Sequence, residues 1–261
     1  HRQLAGSPGR EIEFFVNPAR FDLMRCLIGD VLSKPNLSIL NVACGPFAFE
    51  FYSAPKGARI TAFDRDPRFA PLHLELQDKG LIAPSAFFVE DVTDFVPGPT
   101  YDLVLANDLF YAPSLDYFSI IGHLADSVAP GGVLYFDVQD ERADPVWRLF
   151  SKAGPTRRYD LAAVRHAIEA RGFEVTDVAP SLGIRGGLDY ALRRLLWSVF
   201  GIANNFAFVA RRKAAMTAGA CGMRIPDRTS APPGFMTRRM SRASRISGSA
   251  RMLATTRSNG G

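Results

Sequence analysis

The sequence predicts an α/β domain: a mostly parallel sheet covered by helices on both faces. Two observations lead there. Five short apolar runs recur between residues 38 and 138, each bounded by glycine, proline or acidic clusters. Stretches with helical spacing or helix-boundary residues lie between them. Strands that alternate with helices at such short range belong to a parallel sheet buried on both sides. The chain is long and apolar enough for one such core, with 261 residues, 47% of them hydrophobic and 22% charged.

Residues 18–32 set Phe21, Met24, Leu27, Ile28 and Leu32 at the spacing of one helix face. Lys34-Pro35-Asn36 ends that helix. Residues 38–43 read as the first strand, closed by Cys44-Gly45-Pro46, and residues 47–53 as a short helix. Residues 59–63 form the second strand, ending at Asp64. Asp66 before Pro67 is a helix start, with a capping side chain and a proline at the first position. That helix is expected to reach Lys79, with Gly80 at its C-terminal end. Residues 85–89 give a third strand and residues 101–106 a fourth. Ser114 is the expected cap of a helix reaching Val128, and Pro130-Gly131-Gly132 turns the chain into a fifth strand over residues 133–138. Asp160 is expected to cap a helix over residues 161–171, which Gly172 terminates. Residues 173–178 and 205–210 are the sixth and seventh strands, with residues 188–200 available as a crossover helix.

Beyond Arg212 the pattern ends. Residues 214–261 are rich in Arg, Ser, Thr, Ala and Gly and poor in large apolar residues, so ordering entropy is expected to win and leave the segment disordered. Three segments follow: an N-terminal arm and helix over residues 1–37, the α/β domain over 38–213, and a basic tail over 214–261. The formal charge of +5 belongs to that tail. Residues 211–261 hold eleven Lys/Arg and one acid, Asp227, leaving 20 basic and 25 acidic residues, net −5, on residues 1–210. Nucleic-acid affinity is thus disfavoured for the core and available only to the tail.

Cys26, Cys44 and Cys221 are odd in number and lack zinc-site spacing, so no metal is expected. A reducing, cytoplasmic setting is the simplest expectation. The chain opens on His1 with no signal-peptide pattern and is expected to be a processed or partial sequence. The most apolar stretch, residues 195–210, is short for a span and contains Asn204 and Asn205, so no membrane span is expected.

Four strands end in polar or glycine clusters: 43–46, 64–66, 90–92 and 107–108. A parallel sheet gathers such clusters along one edge, where open α/β sheets bind ligands. The order of these motifs resembles the Rossmann-like (class I) S-adenosylmethionine-dependent methyltransferases. Residues 39–46 (ILNVACGP) resemble the glycine-rich first motif. Residues 61–64 (TAFD) resemble the acidic second-strand motif, Asp64 lying 19 positions after Gly45. Residues 88–91 (FVED), 101–108 (YDLVLAND) and 124–134 (LADSVAPGGVL) resemble the next three. The resemblance covers about residues 18–211. It implies a three-layer Rossmann-like sandwich with a seven-stranded, mostly parallel sheet and an antiparallel last strand.

It also implies S-adenosyl-L-methionine as cofactor, held by Asn41, Ala43, Cys44, Gly45, Pro46, Asp64, Arg65, Asp91, Val92 and Asn107. Gly45 lets backbone approach the ligand, and the following helix N-terminus offers amides to a carboxylate. Asp64 has two acceptor oxygens for adjacent ribose hydroxyls, Asp91 faces the adenine amino group, and Val92 packs on the ring. On the acceptor side Asp108 ranks first and Tyr111 second as catalytic groups, with Asp137 more remote. Two residues depart from the family pattern: Asn41 stands at its first acidic position and Phe47 at its second glycine.

The runner-up, a dinucleotide cofactor, is disfavoured by Phe47 and Glu50 at the second and third glycine positions of its fingerprint, where a pyrophosphate would meet a ring and then a carboxylate. The leading expectation is methyl transfer to a small-molecule oxygen, nitrogen or carbon. The alternatives are an RNA methyltransferase aided by the tail, a non-catalytic binding module motivated by Asn41 and Phe47, and aminopropyl transfer from the same cofactor. Cys44 reads as a packed residue. His73, His123 and His166 read as surface or helix-packing residues, and Trp147 and Trp197 as packing. Phe14, Phe15 and the loop over residues 140–158 are candidates for covering the acceptor pocket.

Overall fold

The computed structural model describes residues 18–145, 156–181 and 187–214. Phe14, Phe15, Trp147, Cys221 and all but the first residue of the expected tail lie outside them. Seven strands make one sheet in the order β3-β2-β1-β4-β5-β7-β6. They are β1 (Ser38–Val42), β2 (Arg59–Asp64), β3 (Ser85–Val89), β4 (Tyr101–Ala106), β5 (Val128–Gln139), β6 (Phe173–Ser181) and β7 (Asn205–Arg212). β1 through β5 pair in parallel, and β7 runs antiparallel to both β5 and β6. The chain winds outward from β1 in both directions, so the order reverses between β1 and β4.

Helices cover both faces: α1 (Pro18–Leu32), α2 (Ala48–Tyr52), α3 (Phe69–Asp78), α4 (Tyr117–Asp126), α5 (Leu161–Glu169) and α6 (Gly187–Phe200). The period-2 alternation of the strands divides the core. Ile39, Ile60, Leu103, Leu105 and Tyr135 pack with Phe21, Met24 and Ile28 of α1 and Phe49 of α2. Leu40, Val42, Val104, Leu134 and Phe136 pack on the opposite side with Ile120 and Leu124 of α4 and Val164 and Ile168 of α5. Strands with apolar residues on both faces are what a doubly covered sheet requires.

The strands fall where the apolar runs predict. Pro130-Gly131-Gly132 lies inside an extended β5 rather than before it, as an irregularity opposite Tyr101 and Leu103. A Cβ on Gly132 would meet the Ala129 carbonyl oxygen at 2.8 Å, so only glycine fits there.

Two helix starts differ from expectation. α3 begins at Phe69, not at Pro67, because the Asp66 amide donates to Asp64 Oδ1 at 2.9 Å and holds residues 66–68 in a turn. Asp66 still accepts from the Arg68 amide at 3.0 Å. α4 begins at Tyr117, so Ser114 does not cap it. Asp116 occupies the N-cap position, but its carboxylate is engaged by Arg157 at 2.7 Å instead of by the helix. Asp160 does cap α5, accepting from the Ala162 amide at 3.0 Å. Among the described residues no helix is long and apolar enough to cross a membrane. Replacing Asp160 by Ala is expected to cost about 1 kcal/mol, read as a lower urea midpoint with an unchanged slope.

Candidate functional site

A cavity of about 500 Å³ opens at the carboxyl edge of the sheet, where the order reverses between β1 and β4. The turn after β1 supplies Ala43, Cys44, Gly45 and Pro46, with Asn41 behind them. The turn after β2 supplies Asp64 and Arg65. The segment after β3 supplies Asp91 and Val92, and the one after β4 supplies Asn107 and Asp108. All ten residues predicted to hold the cofactor therefore line one hollow, with Asp108 beside them. Tyr111 does not line it.

The β1 turn is unusual in its backbone. Ala43, Gly45 and Phe47 all have positive φ, at 50°, 56° and 58°. This alternation carries Phe47 away from the cavity. Its ring is fully buried against Phe87 (5.2 Å between centroids), His73 (5.0 Å) and Phe69 (6.3 Å). Leu76 and Ile82 complete that small cluster. The bulky residue at a family glycine position thus leaves the hollow open. The expected helix N-terminus is weaker than the sequence implied: α2 has five residues, and the Gly45 amide is already taken by Asp64.

Asp64 organises the edge. Its Oδ2 accepts from the Gly45 amide at 3.0 Å and its Oδ1 from the Asp66 amide at 2.9 Å. Each carboxylate oxygen keeps a second acceptor site. Asp91 Oδ1 accepts from the Thr93 amide (3.0 Å) and hydroxyl (2.9 Å), which hold the carboxyl below its usual pKa.

At the β4 end the structure assembles a network that the sequence did not reveal. Arg20, reaching in from α1, forms a bidentate pair with Asp108 and lies 3.7 Å from Asp137. Asp137 Oδ1 accepts from the Asp108 amide at 2.8 Å and its Oδ2 from the Tyr111 hydroxyl at 2.7 Å. Burial raises Asp137 and is opposed by Arg20. Burial, then Asp137 and Asp108, push the Tyr111 phenol well above its usual value, so it remains a donor. Tyr111 therefore supports Asp137 and, contrary to its expected catalytic place, does not line the cavity. One signal for Arg20 was available: it precedes Met24 and Ile28 by four and eight residues, on the buried stripe of α1.

The remaining candidates take structural places. Burial, then Glu50 and Asp64, raise the Cys44 thiol, so it stays protonated and unreactive. His73 pairs with the Ser85 hydroxyl at 2.8 Å and packs on Phe47. His166 is exposed, His123 lies on α4, and Trp197 packs edge-on to Phe206. Residues 140–145 and 156–158 of the expected covering loop are described, but they contribute nothing to the cavity lining.

No protein-family model matches the chain, and no curated protein sequence matches it. Solved structures do. Magnesium protoporphyrin IX methyltransferase from Synechocystis, with bound SAH, is 16% identical with a TM-score of 0.55, over 75% of this chain and 83% of that one. The N-methyltransferase NodS from Bradyrhizobium japonicum, in complex with S-adenosyl-L-homocysteine, is 16% identical with a TM-score of 0.55, over 79% and 93%. The [4+2]-cyclase SpnF is 14% identical with a TM-score of 0.53, over 74% and 81%. The chain thus has the Rossmann-like fold of the class I S-adenosylmethionine-dependent methyltransferases, a scaffold that also carries a cyclase.

Replacing Arg20 by Met strands two neighbouring carboxylates, and breaking a buried pair on one side costs about 3 kcal/mol or more. Urea unfolding is expected to show that loss in full above neutral pH. The loss shrinks as acid protonates Asp137, whose carboxyl burial raises and Arg20 holds down.

Proposed function

We propose that this chain is an S-adenosylmethionine-dependent methyltransferase acting on a small-molecule acceptor. The observation that carries this reading is the convergence of Gly45, Asp64 and Asp91 on a single cavity that the Phe47 ring does not enter. The residues present fit an adenosyl sulfonium. Asp64 has acceptor sites free for two ribose hydroxyls, and Asp91 with Val92 offers an acceptor beside an apolar surface for adenine. Six carboxylates against three arginines line the cavity, which favours a cationic ligand.

Bound there, the cofactor would supply a methyl group already made electrophilic by its sulfonium. The chain's part is then chiefly alignment. Leu109, Ala112 and Leu115 give the acceptor end an apolar wall. Asn107, whose buried Oδ1 has no partner among the described residues, and Asp108 give it polar atoms. Asp108 is the group in reach of an acceptor proton, and Arg20 fixes its orientation. The net −5 charge of residues 1–210 supports a small acceptor over a nucleic acid.

Calorimetry with S-adenosylmethionine and S-adenosylhomocysteine tests the reading. Both should bind the wild-type chain. Asp64→Asn, which keeps the shape but loses the charge and an acceptor, should weaken both by about tenfold or more, the worth of a hydrogen bond to a charged group. Wild-type protein that binds neither would end the proposal.

A further inference from the structure

The middle of α2 holds a carboxylate with no counter-ion among the described residues. Glu50 is 3% exposed, its Oε1 accepts from Asn41 Nδ2 at 2.8 Å, and its Oε2 has no partner among the described residues. Asn41 is the neutral residue at the family's acidic position, and it lines the cavity. Its Nδ2 donates to Glu50, so its Oδ1 is the end of the amide that remains for the hollow Asn41 lines. The charged and titratable groups on the surrounding elements do not neutralise Glu50. Cys44 is a thiol kept protonated, and Asp64 is an anion bonded to two amides. On α1, Arg20 is bound to Asp108 and Arg25 to Asp22.

Resting on the adenosyl-cofactor reading above, we infer that Glu50 is a positioning residue for the cofactor's α-ammonium: ionised, it holds Asn41 with its carbonyl oxygen toward the cavity, and protonated, it reverses that amide. An ionised Glu50 can only accept, so it fixes the Asn41 NH₂ on its own side. A protonated Glu50 can donate its O–H to Asn41 Oδ1, and the NH₂ then faces the cavity, where it opposes an ammonium. The buried anion also attracts that ammonium through a medium of low dielectric. The negative charge missing from position 41 is thereby supplied from α2, one hydrogen bond further back.

Burial pushes the Glu50 carboxyl up to about 7. An ammonium bound near it favours the ionised form, so binding releases a proton when Glu50 starts protonated. Affinity must therefore rise with pH up to and slightly beyond that value.

The test compares two ligands by calorimetry between about pH 6 and pH 8. S-adenosylhomocysteine carries the α-ammonium, and 5′-methylthioadenosine keeps the adenosine and sulfur without the amino-acid part. For wild-type protein, S-adenosylhomocysteine should weaken by up to about tenfold per pH unit below the Glu50 pKa, with proton release seen as buffer-dependent heat, while methylthioadenosine stays flat. Glu50→Gln places a donor where the protonated acid has one. It should bind S-adenosylhomocysteine about tenfold more weakly at the upper pH, with no slope, and methylthioadenosine as the wild type does. A flat wild-type profile for S-adenosylhomocysteine, or a Gln variant that keeps the slope, overturns the inference. Should the variant fail to fold or to bind methylthioadenosine, the wild-type proton release decides alone, and its absence is a refutation. If wild-type protein binds neither ligand, the cofactor reading falls and this inference with it. If it binds both without a Glu50 effect, only the inference falls.

Discussion

The site depends on one carboxylate. Asp64 sits at the end of β2 and accepts from the amides of Gly45 and Asp66 at once. Those two turns leave neighbouring strands in parallel register, Val42 beside Phe63, and without a shared partner each would have a partly buried donor to satisfy. Hydrogen bonds to an ionised group are the strong ones, and leaving such donors unpaired in a partly buried turn is expensive. Asp64 therefore braces both turns where it lines the cavity. The same bond delays the start of α3, so Arg65, Asp66 and Arg68 stay at the rim instead of being wound into a helix.

Around Asp64 the chain places bulk and charge where the family pattern has neither. A left-handed non-glycine residue costs about 1–2 kcal/mol. Burying a phenylalanine ring returns about 2–3 kcal/mol, so Phe47 is tolerated because its ring reaches Phe69, His73 and Phe87. The turn is then anchored to α3 and β3 by packing. Glu50 is the second displacement: it is a buried acid on α2 that reaches the cavity only through Asn41. Phe47 thus ties the start of α2 to α3 and β3, and Glu50 ties α2 to β1.

The sheet was legible because strands buried on both faces have to be apolar throughout, as at residues 103–106. The strand-end residues Gly45, Asp64 and Asp91 followed from the sheet, since parallel strands send their carboxyl ends to one edge. Helix starts were less legible. Asp66 and Ser114 are good caps locally, but the Asp66 amide is held by Asp64 two residues before it, and Asp116 is engaged by Arg157 from 41 residues away. Arg20 and Glu50 were missed for the same reason. A charge among apolar residues has no local partner to explain it, and its meaning appears only when Asp108 or Asn41 arrives from another element. Tyr111 was misplaced because proximity in sequence to Asp108 does not decide which way a ring points. It points to Asp137.

The most direct measurement is a crystal structure with S-adenosylhomocysteine bound. The account requires its ribose hydroxyls within hydrogen-bond distance of the Asp64 carboxylate and its adenine beside Asp91 and Val92, with the Phe47 ring unmoved. A ligand seated elsewhere, or Asp64 still bonded to nothing but the amides of Gly45 and Asp66, would contradict it.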